Sequence, residues 1–147
     1  MHPRIKNILE NYTYPIIKSI TYPNGDMLVL EGQWIKEKYH LRILCKSSLD
    51  SYFSYNEEDY VSNLYPKIMV ENAQYKIYGG ECSWEGDGFI YIINKENGEL
   101  LWFLFLDNSE FFKEVYFEDT NYIIVRSELG LQLRIPINKP EKLSVIK

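Results

Sequence analysis

Alanine is almost missing from this chain: Ala73 is the only one in 147 residues. Alanine is the strongest helix former, so its scarcity argues against a helical domain. In its place stand 13 Tyr and 7 Phe with many Ile and Val, residues that suit strands. The same bias would follow from an AT-rich genome, so composition tilts the fold towards β without deciding it.

Histidine is nearly absent too, with His2 at the terminus and His40 inside a strand pattern. No zinc-ligand spacing, phosphate loop, dinucleotide fingerprint or nucleophile elbow occurs. The two cysteines, Cys45 and Cys82, are expected as reduced, partly buried thiols. His40 and Cys45 could be proposed as base and nucleophile. Five residues apart on one strand, they are expected to point to opposite faces. Neither catalysis nor a metal or other cofactor is therefore expected.

Long apolar runs and a basic surplus are also lacking. The longest apolar stretch, Leu100 to Leu106, is strand-sized, far short of the ~20 residues of a membrane span. The first ten residues carry no apolar leader core and no small-residue cleavage site, so a cytoplasmic location is the expectation. Sixteen Lys and Arg against 21 Asp and Glu give a net charge of −5. That argues against a phosphate-backbone binder, hence no nucleic-acid partner, and permits a basic protein partner.

What is present has two periods. Ile5, Ile8, Leu9 and Tyr12 form one apolar stripe, with Pro3 suited to a first turn and Pro15 opposing continuation. The spacing predicts a short N-terminal helix over residues 3 to 12. Strand patterns follow at 16–22, 27–34, 39–45, 67–71, 75–79, 88–94, 100–107, 111–118, 122–127, 131–137 and 143–146. Asn24-Gly25 and Asn97-Gly98 are hairpin turn signals. Asn56 to Asp59 reads as a helix start over Tyr60, Val61 and Leu64, and Glu57-Glu58-Asp59 as a solvated acidic loop. The fold class is mainly β: an antiparallel meander of about 10–12 short strands in a single domain over 1–147.

The meander also resembles itself. Residues 16–22 align with 111–117, 27–30 with 122–125, and 41–43 with 133–135. A middle copy shows in Glu71-Asn72-Ala73-Gln74-Tyr75 beside Glu118-Asp119-Thr120-Asn121-Tyr122, an offset of 118 − 71 = 47 residues. Three units of about 47 residues suit a β-trefoil-like arrangement. A curved sheet or sandwich built from similar hairpins is the other reading.

Two segments stand out. Leu100 to Leu106 is apolar on both faces, so it is central and covered twice, or half of it meets another chain. Gly79 to Gly88 holds four glycines in ten residues and sets Trp84 among Glu81, Glu85 and Asp87. Three readings compete for this loop. The preferred one tucks Trp84 into the core. The second makes Glu81, Trp84, Glu85 and Asp87 a partner-binding surface, since Trp is favoured at the centres of interfaces. The third is a Ca²⁺ or carboxylate catalytic site, for which the calcium-loop pattern is missing.

The stretch Gly80 to Ile90, followed by Gly98-Glu99-Leu100-Leu101-Trp102, resembles a Gly/Ser/Trp/Asp-Gly-Phe loop pattern of small uncharacterised bacterial β proteins of the toxin-immunity type. The resemblance covers roughly 68–137 and brings no catalytic residues. It implies a bacterial, non-enzymatic, protein-binding domain that occludes a toxin. An acidic surface would suit a basic toxin domain. The alternative is a carbohydrate- or small-ligand-binding β module that uses Trp and Tyr as stacking platforms.

Overall fold

A computed structural model describes residues 1–146. The fold is mainly β, with every strand pairing antiparallel. Helix α1 spans Pro3–Asn11, and the ring of His2 caps it by accepting from the Arg4 N–H at 3.0 Å. Tyr12 ends it in the left-handed region at φ 53°. The strands are β1 Thr13–Pro15, β2 Ser19–Thr21, β3 Asp26–Ile35, β4 Lys38–Ser48, β5 Val61–Glu71, β6 Tyr75–Cys82, β7 Gly88–Asn94, β8 Leu100–Leu106, β9 Phe112–Phe117, β10 Tyr122–Ser127, β11 Gln132–Pro136 and β12 Ser144–Val145.

The expected helix start at Asn56 is not where the second helix lies. Helix α2 is Leu49–Tyr55, capped by Ser48, whose hydroxyl accepts from the Ser51 N–H at 3.0 Å. Residues 61–64, expected on a helix, open β5 instead. Buried Ser62 and Leu64 alternate with exposed Asn63 and Tyr65, and a buried serine hides that alternation from any hydrophobic pattern. Likewise the strand expected at 16–22 shortens to β2 at Ser19–Thr21, because Ile16 to Lys18 form the crossing from β1, which lies before that range.

The strands form two sheets, ordered β1-β5-β6-β7-β8-β2-β3-β4 and β12-β11-β10-β9. A trefoil would set three units around one axis. Here the first two meanders share the eight-stranded sheet and the third makes its own, so the curved-sheet-and-sandwich reading describes the fold. The aligned segments have a local physical cause in common. Asn24, Asn72 and Asp119 each accept, through a side-chain oxygen, the N–H two residues on, at 3.0, 2.8 and 2.7 Å. This turn needs Asn or Asp at that point of a hairpin, so similar hairpins repeat similar residues.

Only three residues separate β1 from β2, yet these strands are first and sixth in the large sheet. The sheet must therefore curl until they meet. Inside the curl, Ile5 and Ile8 of α1 and Leu49 of α2 pack with Tyr14, Phe89, Tyr91, Phe103 and Phe105. The opposite face of the large sheet packs on the small one: Ile20, Ile90, Ile92, Trp102 and Leu104 meet Phe112, Ile123, Val125, Leu133 and Ile135. The Trp102 indole N–H donates to the Ile137 carbonyl at 2.8 Å and ties the two layers together. Strand β8 thus lies between two cores, which is why Leu100 to Leu106 is apolar throughout. None of the described helices is long and apolar enough to cross a membrane.

Candidate functional site

Strand β2 begins only at Ser19, opposite Val29 and Phe105, while β3 runs on to Ile35 and β8 one residue further to Leu106. Where the chain peels away through Lys18, Ile17 and Ile16 towards β1, the sheet leaves a groove of about 430 Å³. Ile17, Val29, Leu44 and Phe105 supply its apolar surface, and Lys18, Glu31, Asp87 and Asp107 its charges. Trp84 stands at this groove from the β6–β7 turn.

Trp84 is 58% exposed, so the preferred expectation of a core tryptophan is wrong. The reason lies in its neighbours. Cys82 takes the last inward position of β6. The Ser83 N–H then donates to the Asn63 carbonyl at 3.1 Å and the Ser62 hydroxyl at 3.2 Å, and the Ser83 hydroxyl accepts from the Asn63 N–H at 2.9 Å. This clamp turns the following residue outward. Beyond it the Asp87 N–H closes back on the Trp84 carbonyl at 3.3 Å, with Gly86 at φ +94°. The Glu110 N–H donates to the Gly86 carbonyl at 3.0 Å and fastens the far side. Trp84 is therefore displayed on a turn held at both ends.

Of the four glycines of this loop, only Gly86 has a positive φ. Gly79, Gly80 and Gly88 are there because other atoms come close. A Cβ on Gly80 would run into the Tyr65 carbonyl, and one on Gly88 would lie 2.5 Å from the Glu110 carbonyl oxygen.

The four residues expected at the site separate into two groups. Trp84 and Asp87 line the groove. Glu85 lies exposed on the turn between them. Glu81 sits on β6 opposite Tyr65 and pairs with Lys67 at 3.3 Å, away from the groove lining. Sequence reasoning missed Lys18, Glu31 and Asp107, and no local pattern marks them, because they come from three separate segments: the β1–β2 crossing, β3 and the β8–β9 loop.

The charges are unevenly matched. Lys18 pairs with Asp107 at 3.3 Å and Arg42 with Glu31 at 3.2 Å. Asp87 has no ion-pair partner among the described residues. Burial and the repulsion of Asp107 push its carboxyl up to about 6; Glu110 adds to the rise and Lys18 opposes it. The second Asp107 oxygen is buried without a hydrogen-bond partner. The loop that carries Asp107 is itself held, since the Tyr39 hydroxyl donates to the Asp107 carbonyl at 3.2 Å and the Trp34 indole to the Asn108 carbonyl at 2.8 Å.

Among the described residues no three His, Cys, Asp or Glu are grouped to hold a metal ion. The expectation that His40 and Cys45 point to opposite faces fails. A bulge at Leu44 puts Cys45 opposite Val29 and His40 opposite Gln33, on one face. Those positions are still four residues apart along β3, about 13 Å of strand, so the pair stays out of contact. Compared with protein-family models, curated proteins and solved structures, the chain matches none.

Proposed function

We propose that this chain is a non-enzymatic protein-binding domain, an immunity protein that occludes a basic toxin domain in the bacterial cytoplasm. The observation that carries the reading is Trp84, 58% exposed on a turn fixed at both ends beside a groove with an unpaired carboxylate. An exposed indole in a fixed position gains most from being covered, and a rigid turn loses little entropy when it binds. The carboxylates of Glu85 and Asp87 beside it favour a partner of positive charge and would speed its approach. Occlusion requires no catalytic group, which suits a site built from one aromatic and carboxylates.

The test is rescue of growth. The chain is coexpressed with the toxin domain encoded next to its own gene. Rescue that Trp84→Ala abolishes, with the protein still folded, supports the reading. Rescue untouched by that change, or no toxic neighbour, overturns it.

A second reading, the small-ligand module, is favoured by a separate hollow of about 670 Å³. Tyr22, Pro23 and Leu28 line it together with Asn24, Asp26, Lys46, Ser47 and Glu141. Binding of a sugar or other small polar molecule there would be lost on Tyr22→Ala and unaffected by Trp84→Ala.

A further inference from the structure

We infer that the groove beside Trp84 receives one arginine or lysine side chain of the partner, its aliphatic stem along Ile17, Val29 and Leu44 and its charged end between the Trp84 ring and Asp87. This rests on the protein-binding reading above and narrows it to one contact.

The groove has the chemistry of a long cationic side chain. Its lining combines apolar Ile17, Val29, Leu44 and Phe105 with the carboxylates Glu31, Asp87 and Asp107, the combination that suits a residue with an apolar stem and a charged head. At about 430 Å³ it has room for one long side chain. The cations already present are engaged: Lys18 is held by Asp107 and Arg42 by Glu31. Asp87 is the carboxylate left over, and an indole face next to a carboxylate binds guanidinium by cation–π attraction and charge together.

The titration behaviour of Asp87 agrees with this geometry. The charged groups that act on it are Asp107 and Glu110 from the β8–β9 loop and Lys18 from the β1–β2 crossing; across the groove stands Glu31 of β3. The two acids and burial outweigh Lys18, so the ionised carboxylate lacks compensation that an incoming cation would supply. Binding should therefore weaken as pH falls through about 6.

The experiment is a nuclear magnetic resonance titration with the peptides Gly-Arg-Gly and Gly-citrulline-Gly, which share shape and differ in charge. The Trp84 indole signal is assigned by its loss in Trp84→Phe. The expected result is movement of the Trp84 indole and Asp87 amide signals with the arginine peptide. Its affinity should exceed that of the citrulline peptide at pH 7.5 by about tenfold. That preference should shrink at pH 5 and vanish in Asp87→Asn. Equal response to both peptides, or no movement of Trp84, overturns the proposal. Should the arginine peptide move only Glu57 to Asp59, the groove assignment fails while a basic partner remains supported. Rescue of growth that ignores Trp84 would instead remove the protein-binding reading itself.

Discussion

The ring of Tyr14 lies flat on the ring of Phe103, centroids 4.2 Å apart and planes 9° apart, although three strands separate β1 from β8 in the sheet. Tyr91 also stacks on Phe103, at 5.2 Å, and Tyr78 on Tyr91 at 5.0 Å. The Tyr14 hydroxyl meets the Ser19 hydroxyl at 2.7 Å and also the Thr21 hydroxyl, both on β2. One side chain thus closes the curl through its ring and its hydroxyl at once.

Tyr14→Phe keeps the ring and removes the closure to β2. Ser19 and Thr21 are fully buried, so their hydroxyls lose a partner with no water to replace it. The expected loss is about 1–3 kcal/mol, read as a lower urea midpoint at unchanged m-value. An unchanged midpoint would show that the stack alone holds the curl.

Trp84→Ala and Trp102→Ala should separate cleanly. Trp84 is exposed, so its loss should change stability by less than about 0.5 kcal/mol. Trp102 is 1% exposed and donates to Ile137, so its loss should cost about 3–5 kcal/mol or prevent folding. Thermal melts of the two variants decide it; a large fall for Trp84→Ala would return that residue to a structural role.

Asp87→Asn should raise stability at neutral pH. The folded protein holds the Asp87 proton up to about 6, from an ordinary value of 3.8. Between those two values the folded state binds more protons than the unfolded one, so stability falls as pH rises through that window. Asparagine removes the penalty above pH 6 and changes little below pH 4. Melting temperatures of wild type and variant across pH 4–8 should diverge upward through that range; parallel curves would contradict it.

Glycine substitutions should rank by what a Cβ meets. At Gly80 it meets the Tyr65 carbonyl and the Lys67 N–H, both backbone, within the β5–β6 bulge. Gly80→Ala should cost about 1–3 kcal/mol or more. At Gly86 nothing lies within 4 Å, and only the φ of +94° resists. Gly86→Ala should cost about 1 kcal/mol and loosen the Trp84 turn, seen as faster amide exchange at Asp87.

Thiol labelling of the native protein should modify Cys45 and spare Cys82. Both cysteines are free, with Cys45 exposed and Cys82 buried. Burial pushes the Cys82 thiol up, with further repulsion from Asp87 and Glu81 outweighing its bond to Ser62. One label per chain in native buffer and two in denaturant is the expected result by mass.

By itself the sequence determined the local pieces. The helix at Pro3–Asn11 follows from its stripe and Pro3, and the Pro23-Asn24-Gly25-Asp26 and Asn97-Gly98 turns place their hairpins. The double-faced apolar run marked β8 as either central or half-covered by another chain, and the two cores of the fold decided for central. Each of these depends on residues within about ten positions, where spacing and turn geometry are sufficient. Tertiary structure alone decided the rest. That Ile20 pairs with Leu104, and Tyr14 with Ser62, depends on which edges meet once the chain collapses. Helix α2 forms beside the acidic run rather than on it because Ser48 caps it and Leu49 and Tyr52 find the core. Trp84 faces outward because Ser83 is clamped to β5, a contact no apolar pattern encodes. The groove exists because β2 begins late between two longer strands. It joins Ile17, Val29, Leu44, Asp87 and Asp107, which stand next to one another only after the sheet has curled.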